Sequence, residues 1–231
     1  GSLAVQWLHL QRTAGDAPFG TEQLTASLCL VYGAMAMPNE DAAVTKGLRQ
    51  IESLLENQTM KDGGYNSRAP SDLMAVLRRL IALRGAVGDS GRPVPDWLQT
   101  AIDRMAPLLR GLRHGDGGLA LFNGGFEESA DSVDATLVQA SVKGKALLSA
   151  TQSGFQRMTA GGAVLLADTG APPLGEWGQY AHSGGGGFEL SIRKRRLIVN
   201  CGSGRQRSAE WREAARATAA HSTLQFDNAN A

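Results

Sequence analysis

A chain of 231 residues with 42% apolar and 19% charged side chains is long enough to bury a core and too apolar for disorder. Its net charge of +1 excludes the sustained positive field of a general nucleic-acid binder, so charge can act only locally. Two cysteines, Cys29 and Cys201, supply neither a disulfide framework nor a CxxC zinc pair, and no apolar run approaches the ~20 residues that span a bilayer.

Residues 1 to about 113 read as helices, because apolar positions recur at helical spacing between turn formers. Residues 21–37 and 41–57 form one pair, separated by Pro38-Asn39. Ser71 opens the clearest window, which carries Leu73, Val76, Leu77, Leu80 and Ile81 and closes near Gly85 and Gly88. Another begins at Asp96 and runs through Leu98, Ile102, Met105 and Leu109, with Pro107 predicted to kink or shorten it. Asp-Gly-Gly occurs at 62–64 and again at 116–118, each just after a helical window, and reads as a turn of a helical-hairpin array.

After Gly124-Gly125 the texture changes to short apolar or alternating runs between glycines. Residues 132–140, 145–151, 163–168, 187–192 and 196–201 read as strands, and 221–227 as the entry to another. Helices followed by strands predict an α+β fold, with a helical domain over 1–124 and an antiparallel β-sandwich over 125–231. The chain stops soon after a strand-like stretch, and the expectation is a piece of a longer protein.

Gly184 to Gly187 invites a phosphate-loop reading, but the required lysine and following Ser or Thr are missing and Phe188 to Ser191 reads as a strand. The glycines are better suited to a tight turn or a close backbone approach. The run Arg193 to Arg196, with Arg205, Arg207, Arg212 and Arg216 beyond it, could attract a polyanion, although a solvated hairpin tip is the favoured reading of the run itself. Arg68, in a glycine-rich turn, is a candidate for holding a carboxylate bidentately. Among the four histidines, His182 lies at a loop-to-strand transition and His221 opens the final alternating run, whereas His9 and His114 take a structural reading. If the final strand lies beside the one ending at Asn200-Cys201, His182, His221 and Cys201 could meet and accept zinc.

Four motifs in order resemble the heparinase II/III-like family of polysaccharide lyases. They are Lys61-Asp-Gly-Gly-Tyr-Asn-Ser-Arg-Ala-Pro70, Arg113-His-Gly-Asp-Gly-Gly-Leu-Ala-Leu-Phe-Asn-Gly124, Gln179-Tyr-Ala-His-Ser-Gly-Gly-Gly-Gly-Phe-Glu-Leu-Ser191, and Leu197-Ile-Val-Asn-Cys-Gly202 with Arg216-Ala-Thr-Ala-Ala-His-Ser-Thr223. The resemblance implies an incomplete (α/α) toroid joined to the first part of a β-sandwich, and a bacterial envelope or periplasmic setting. It also implies β-elimination on an acidic, uronate-containing polysaccharide, which needs a neutraliser for the sugar carboxylate, a base and an acid. Carried over by position, Tyr65, Tyr180 and His182 are the proton carriers, while Arg68, Asn66 and Asp72 contact substrate. His182 and His221 are the retained candidates for a zinc site. The chain departs from the pattern in three places: no Asn-His pair opens the early helix at Phe19 to Gln23, Asp72 stands where active members place a tyrosine, and Tyr180 occupies the slot of the first histidine of His-x-His. Asn200 likewise replaces the family's Asp. A non-catalytic glycan-binding or envelope member is therefore the alternative, and a hydrolase using Asp62 and Asp72 a weaker third, since nothing fixes their separation.

Overall fold

The computed structural model describes residues 2–204, 207–227 and 230. Its helices are α1 (Ser2–Thr13), α2 (Thr21–Met35), α3 (Asp41–Gln58), α4 (Pro70–Asp89), α5 (Asp96–Gly111), α6 (Ala130–Ala140) and α7 (Ala209–Arg216). α2 and α3 form one hairpin and α4 and α5 the next, and α4 also packs on α2 and α6. The sequence dictates that central place: Leu73, Met74, Val76, Leu77, Leu80, Leu83 and Val87 are all buried, giving α4 a wide apolar face, while Arg78 stands exposed on the other side. α5 buries one stripe, Leu98, Ile102, Met105 and Leu109, and runs through Pro107 to Gly111 without a break.

Residues 132–140, read as a strand because they form a short apolar or alternating run, are helix α6. Val133, Thr136, Leu137 and Ala140 fall on one buried face at helical spacing, and the Ser129 hydroxyl caps the first turn by accepting from the Ser132 N–H. The helical layer thus runs to Ala140 and the sheet begins at Ser149, so the boundary lies past 140 rather than at 124/125.

The strands β1 (Ser149–Ala150), β2 (Phe155–Ala160), β3 (Ala163–Asp168), β4 (Phe188–Ile192) and β5 (Arg195–Ile198) form one antiparallel meander in sequence order. β2 was hidden by its polar residues Gln156, Arg157 and Thr159, while 221–227 carries no named strand and α7 falls in what read as a basic stretch. The described residues form this one sheet, and the two-sheet sandwich expected from the sequence is not formed by them. Met158, Leu165, Leu190 and Ile198 stand opposite one another in register on its outer face, where Met158 is exposed. The inner face, with Val164 and Leu166, packs toward the helices in one continuous core.

The two Asp-Gly-Gly turns are congruent. Met60 N–H donates to the Gly64 carbonyl in the first and His114 N–H to the Gly118 carbonyl in the second; Asn66 N–H reaches Gln58 and Ala120 N–H reaches Leu112. Asp62 and Asp116 each accept from the glycine N–H two residues on, and Gly63 and Gly117 have φ of 89° and 90°, which favours glycine. Both turns butt against the sheet. A Cβ on Gly115 would land on the Arg193 carbonyl at the β4–β5 hairpin tip. Gly115→Ala should therefore lower stability by about 1–3 kcal/mol, as overpacking against backbone does, read as a shift in the urea midpoint at unchanged slope. An unshifted midpoint would mean that the hairpin tip yields freely.

Candidate functional site

The junction between helices and sheet is polar and largely buried. Arg68, in the left-handed region at φ 57°, points inward: its Nε donates to the Ser153 carbonyl at 3.0 Å, Nη1 to the Ala171 carbonyl at 2.5 Å, and Nη2 pairs with Asp168. Its guanidinium also sits 5.3 Å from the centre of the Phe155 ring. Asp168 accepts in addition from Asn123 Nδ2 at 2.7 Å and Gly170 N–H at 3.2 Å. Burial pushes the Asp168 carboxyl up, against the pull of Arg68 and Asn123. Arg68, expected to hold a substrate carboxylate, instead holds a carboxylate of its own chain.

A second strut joins His114 to β4. Its Nε2 lies 2.7 Å from Glu189 and its Nδ1 3.1 Å from the Ser191 hydroxyl, with the His114 and Glu189 side chains wholly buried. The order Ser, His, Glu mimics a hydrolytic triad. Yet Ser191 Oγ also accepts from the Gly115 N–H and is itself fully buried, so the arrangement locks two layers and exposes no nucleophile. A third strut pairs Arg196 Nε with Asp116 at 2.8 Å; burial works against the Asp116 charge, but the Arg196 and Gly118 donors outweigh it and hold the carboxyl below its usual range. Arg196 is thus the anchored member of the basic run, while Arg193, Lys194 and Arg195 are exposed at the hairpin tip.

Beside these struts a cleft of about 350 Å³ opens between the start of α2, the turn before α4 and the segment before β4. Phe19, Tyr65 and Trp177 give it an aromatic wall, and Glu22, Asp72 and Glu176 line it with carboxylates. Arg212 of α7 is the cation among its described lining residues. Tyr65 is almost wholly buried and its hydroxyl donates to Gln58 Oε1 at 3.0 Å. Burial first, then the charges of Asp72 and Glu22, raise the Tyr65 phenol above its ordinary value, the opposite of what a proton-abstracting tyrosine needs.

The structure brings Tyr65 and Asp72 together at this cleft and places Asn66, His182 and His221 elsewhere. Asn66 Nδ2 donates to the Asn57 carbonyl at 2.9 Å at the end of α3. His182 is buried with its ring 5.2 Å from that of His221, and neither is among the described residues lining the cleft. The side chain of Tyr180 and the whole of Arg205 lie outside the described residues. His221 Nδ1 meets Asn200 Oδ1 at 3.1 Å, while its Nε2 is buried without a hydrogen-bond partner; burial lowers its basicity. Among the described residues the two histidines have no third His, Cys, Asp or Glu with which to hold a metal. Asn200, which stands in the family's Asp slot, turns its Oδ1 to His221 and the Ser222 N–H, and the Cys201 thiol donates to the Ala215 carbonyl. Among the described residues no group of three or more His, Cys, Asp or Glu could hold a metal. The glycine run behaves as a close approach: Gly184 lies where a Cβ would meet the His221 ring at 3.1 Å.

Glu22, Trp177 and the Glu189 strut were not legible as site residues, because each is an ordinary residue in its own segment and only the fold assembles them. The one available signal was alternation in β4, which puts Glu189 and Ser191 on one face.

Comparison with known proteins agrees with this architecture. Residues 142–231 match the family described as heparinase II/III-like, C-terminal. A curated relative, FtsZ-localized protein C from Caulobacter vibrioides, is 33% identical over 174 residues, covering 75% of this chain and 30% of the relative. A heparinase III gene product of known structure superimposes with a TM-score of 0.75 at 17% identity, covering 96% of this chain and 40% of that one. The heparan sulfate lyase HepC from Pedobacter heparinus does so with a TM-score of 0.71 at 19% identity, over 93% and 38%. The chain therefore spans less than half the length of these proteins. Over residues 142–231 the chain belongs to the heparinase II/III-like, C-terminal family, and over nearly its whole length it shares the fold of heparinase III.

Proposed function

We propose that the chain carries the glycan site of a polysaccharide-lyase-fold protein and that its cleft holds a sugar chain without cleaving it by the family's usual elimination. The observation that carries this reading is the cleft lining. An aromatic wall with a few polar groups is how proteins hold a ring with apolar faces and hydroxyl edges. Elimination asks for more: a cation at the sugar carboxylate, an ionisable base and an acid. Here three carboxylates line the cleft, Arg68 is consumed by Asp168, and Tyr65 keeps its proton. FtsZ-localized protein C is named for a location and not for an activity, in keeping with a member that binds. A cell-envelope glycan and a periplasmic address belong to the same reading.

The second reading, β-elimination on an acidic glycan, draws on the likeness to a heparan sulfate lyase and on Arg212 at the cleft edge. The two part on one measurement. Full-length protein incubated with heparin, heparan sulfate, alginate and hyaluronan should give a flat absorbance trace at about 232 nm, where an unsaturated uronate absorbs, while an envelope-glycan panel shows saturable binding. A rising trace with any substrate would establish the lyase reading instead.

A further inference from the structure

Asn123-Gly124 is the one Asn-Gly pair in the chain, and it stands at the junction of helices and sheet. A glycine after asparagine has no side chain to shield its nitrogen, which leaves the pair open to ring closure between that nitrogen and the asparagine side-chain carbon. Two features of the fold bear on that reaction. The first is the backbone. Asn123 and Gly124 have φ of 50° and 72°, and the Gly125 N–H donates to the Phe122 carbonyl at 2.9 Å, which makes a type I′ turn. In that turn the Gly124 nitrogen lies on the far side of the Asn123 Cα from the side chain, so closure needs rotation about the Asn123 Cα–C bond. The second is the side chain. Asn123 Nδ2 donates to Asp168 Oδ2 at 2.7 Å and to the Arg68 carbonyl at 3.3 Å, and both acceptors hold it in place.

We infer that Asn123 is a deamidation site gated by the fold, spared while the junction is closed and modified when it opens. On opening, the Gly124 nitrogen attacks Asn123 Cγ: the new C–N bond forms, the Cγ–Nδ2 bond breaks, and ammonia leaves with the proton of the Gly124 amide. Water then opens the succinimide at either carbonyl, giving aspartate at 123 or its isomer with the main chain routed through the side chain. Either product has a carboxylate where the amide donor stood. The aspartate faces the buried Asp168 as a like charge, so the junction closes less tightly and opens more often. Loss of ammonia makes the change one-way, and because Asn123 lines the cleft it alters the cleft wall as well.

The test follows the peptide containing residue 123 by mass spectrometry while the full-length protein is held at mildly alkaline pH in buffer and in graded urea. The gain in mass from amide to acid belongs to asparagine, so Asp62-Gly63 and Asp116-Gly117, which can form the same ring, do not contribute to it. Conversion in buffer should be at least about tenfold slower than in unfolding urea, and should rise with urea below the midpoint, as for any group reached through opening. Isoaspartyl methyltransferase should label the product at 123, which marks the succinimide route. Asn123→Asp should lower the urea midpoint at unchanged slope. Equal rates in buffer and in urea would remove the gate, and no conversion in urea would remove the site. An unchanged midpoint in Asn123→Asp would remove the effect on the junction.

Discussion

Asp168→Ala should lower unfolding stability by about 3–5 kcal/mol, the cost of stripping one partner from a buried ion pair. Both side chains of the Arg68–Asp168 pair are nearly inaccessible, at 4% and 3% exposure, so the guanidinium left behind would have no route to water. The carbonyls of Ser153 and Ala171 would still accept from it, but neither cancels its charge. Asn123 would lose its shorter acceptor and keep only the Arg68 carbonyl at 3.3 Å, and Asn123 lines the cleft, so ligand affinity should fall with stability. Removing both charges together, as Arg68→Met with Asp168→Leu, should cost less than Asp168→Ala alone, because no uncompensated ion remains. Chemical denaturation of Arg68→Met, Asp168→Leu and the double variant measures the coupling directly. A loss under about 1 kcal/mol in Asp168→Ala would mean that the guanidinium escapes to solvent and that the strut is dispensable.

How much of this was legible in the sequence follows from which residues answer to their neighbours in the chain and which to distant ones. α4 and α5 were readable because Leu73, Val76, Leu77 and Leu80, then Leu98, Ile102, Met105 and Leu109, repeat at the helical period and bury one connected surface. α6 was misread because Val133 and Thr136 favour strands locally, and only docking on α4 and α5 settles them as helix. β4 was recognised as a strand, yet alternation suggests the wrong side for its core. Glu189 and Ser191 face inward and Ile192 is exposed, since β4 itself docks on the polar second Asp-Gly-Gly turn. For the same reason Arg68 resembled a ligand-binding arginine: its turn was legible, but its partner, Asp168, stands 100 residues away. The Asp-Gly-Gly repeat was visible, whereas its purpose depends on Ser153 in the β1–β2 turn and Arg196 of β5, which Asp62 and Asp116 grip.

Glu189→Ala should be comparably severe, about 3–5 kcal/mol, and should identify the Ser191–His114–Glu189 row as a strut. The Glu189 carboxylate accepts from His114 Nε2 at 2.7 Å, from the Leu121 N–H at 2.9 Å, and from the Asn200 N–H and Nδ2 at 3.2 and 2.9 Å. One group thus satisfies donors from the second Asp-Gly-Gly turn, from the segment after it and from the end of β5. Truncation leaves all of them buried without an acceptor, and each stranded donor costs about 1–3 kcal/mol before relaxation. Ser191→Ala removes only a hydroxyl shared by His114 and the Gly115 N–H, and should cost about 1–2 kcal/mol. A catalytic triad would show the reverse emphasis, with Ser191→Ala abolishing turnover at little cost in stability. Hydrogen exchange should locate the damage, with the amides of Leu121 and Asn200 losing protection in Glu189→Ala and keeping it in Ser191→Ala. Retained protection at both amides in Glu189→Ala would show that the Arg68, Asp62 and Arg196 contacts suffice to hold the helices and sheet together.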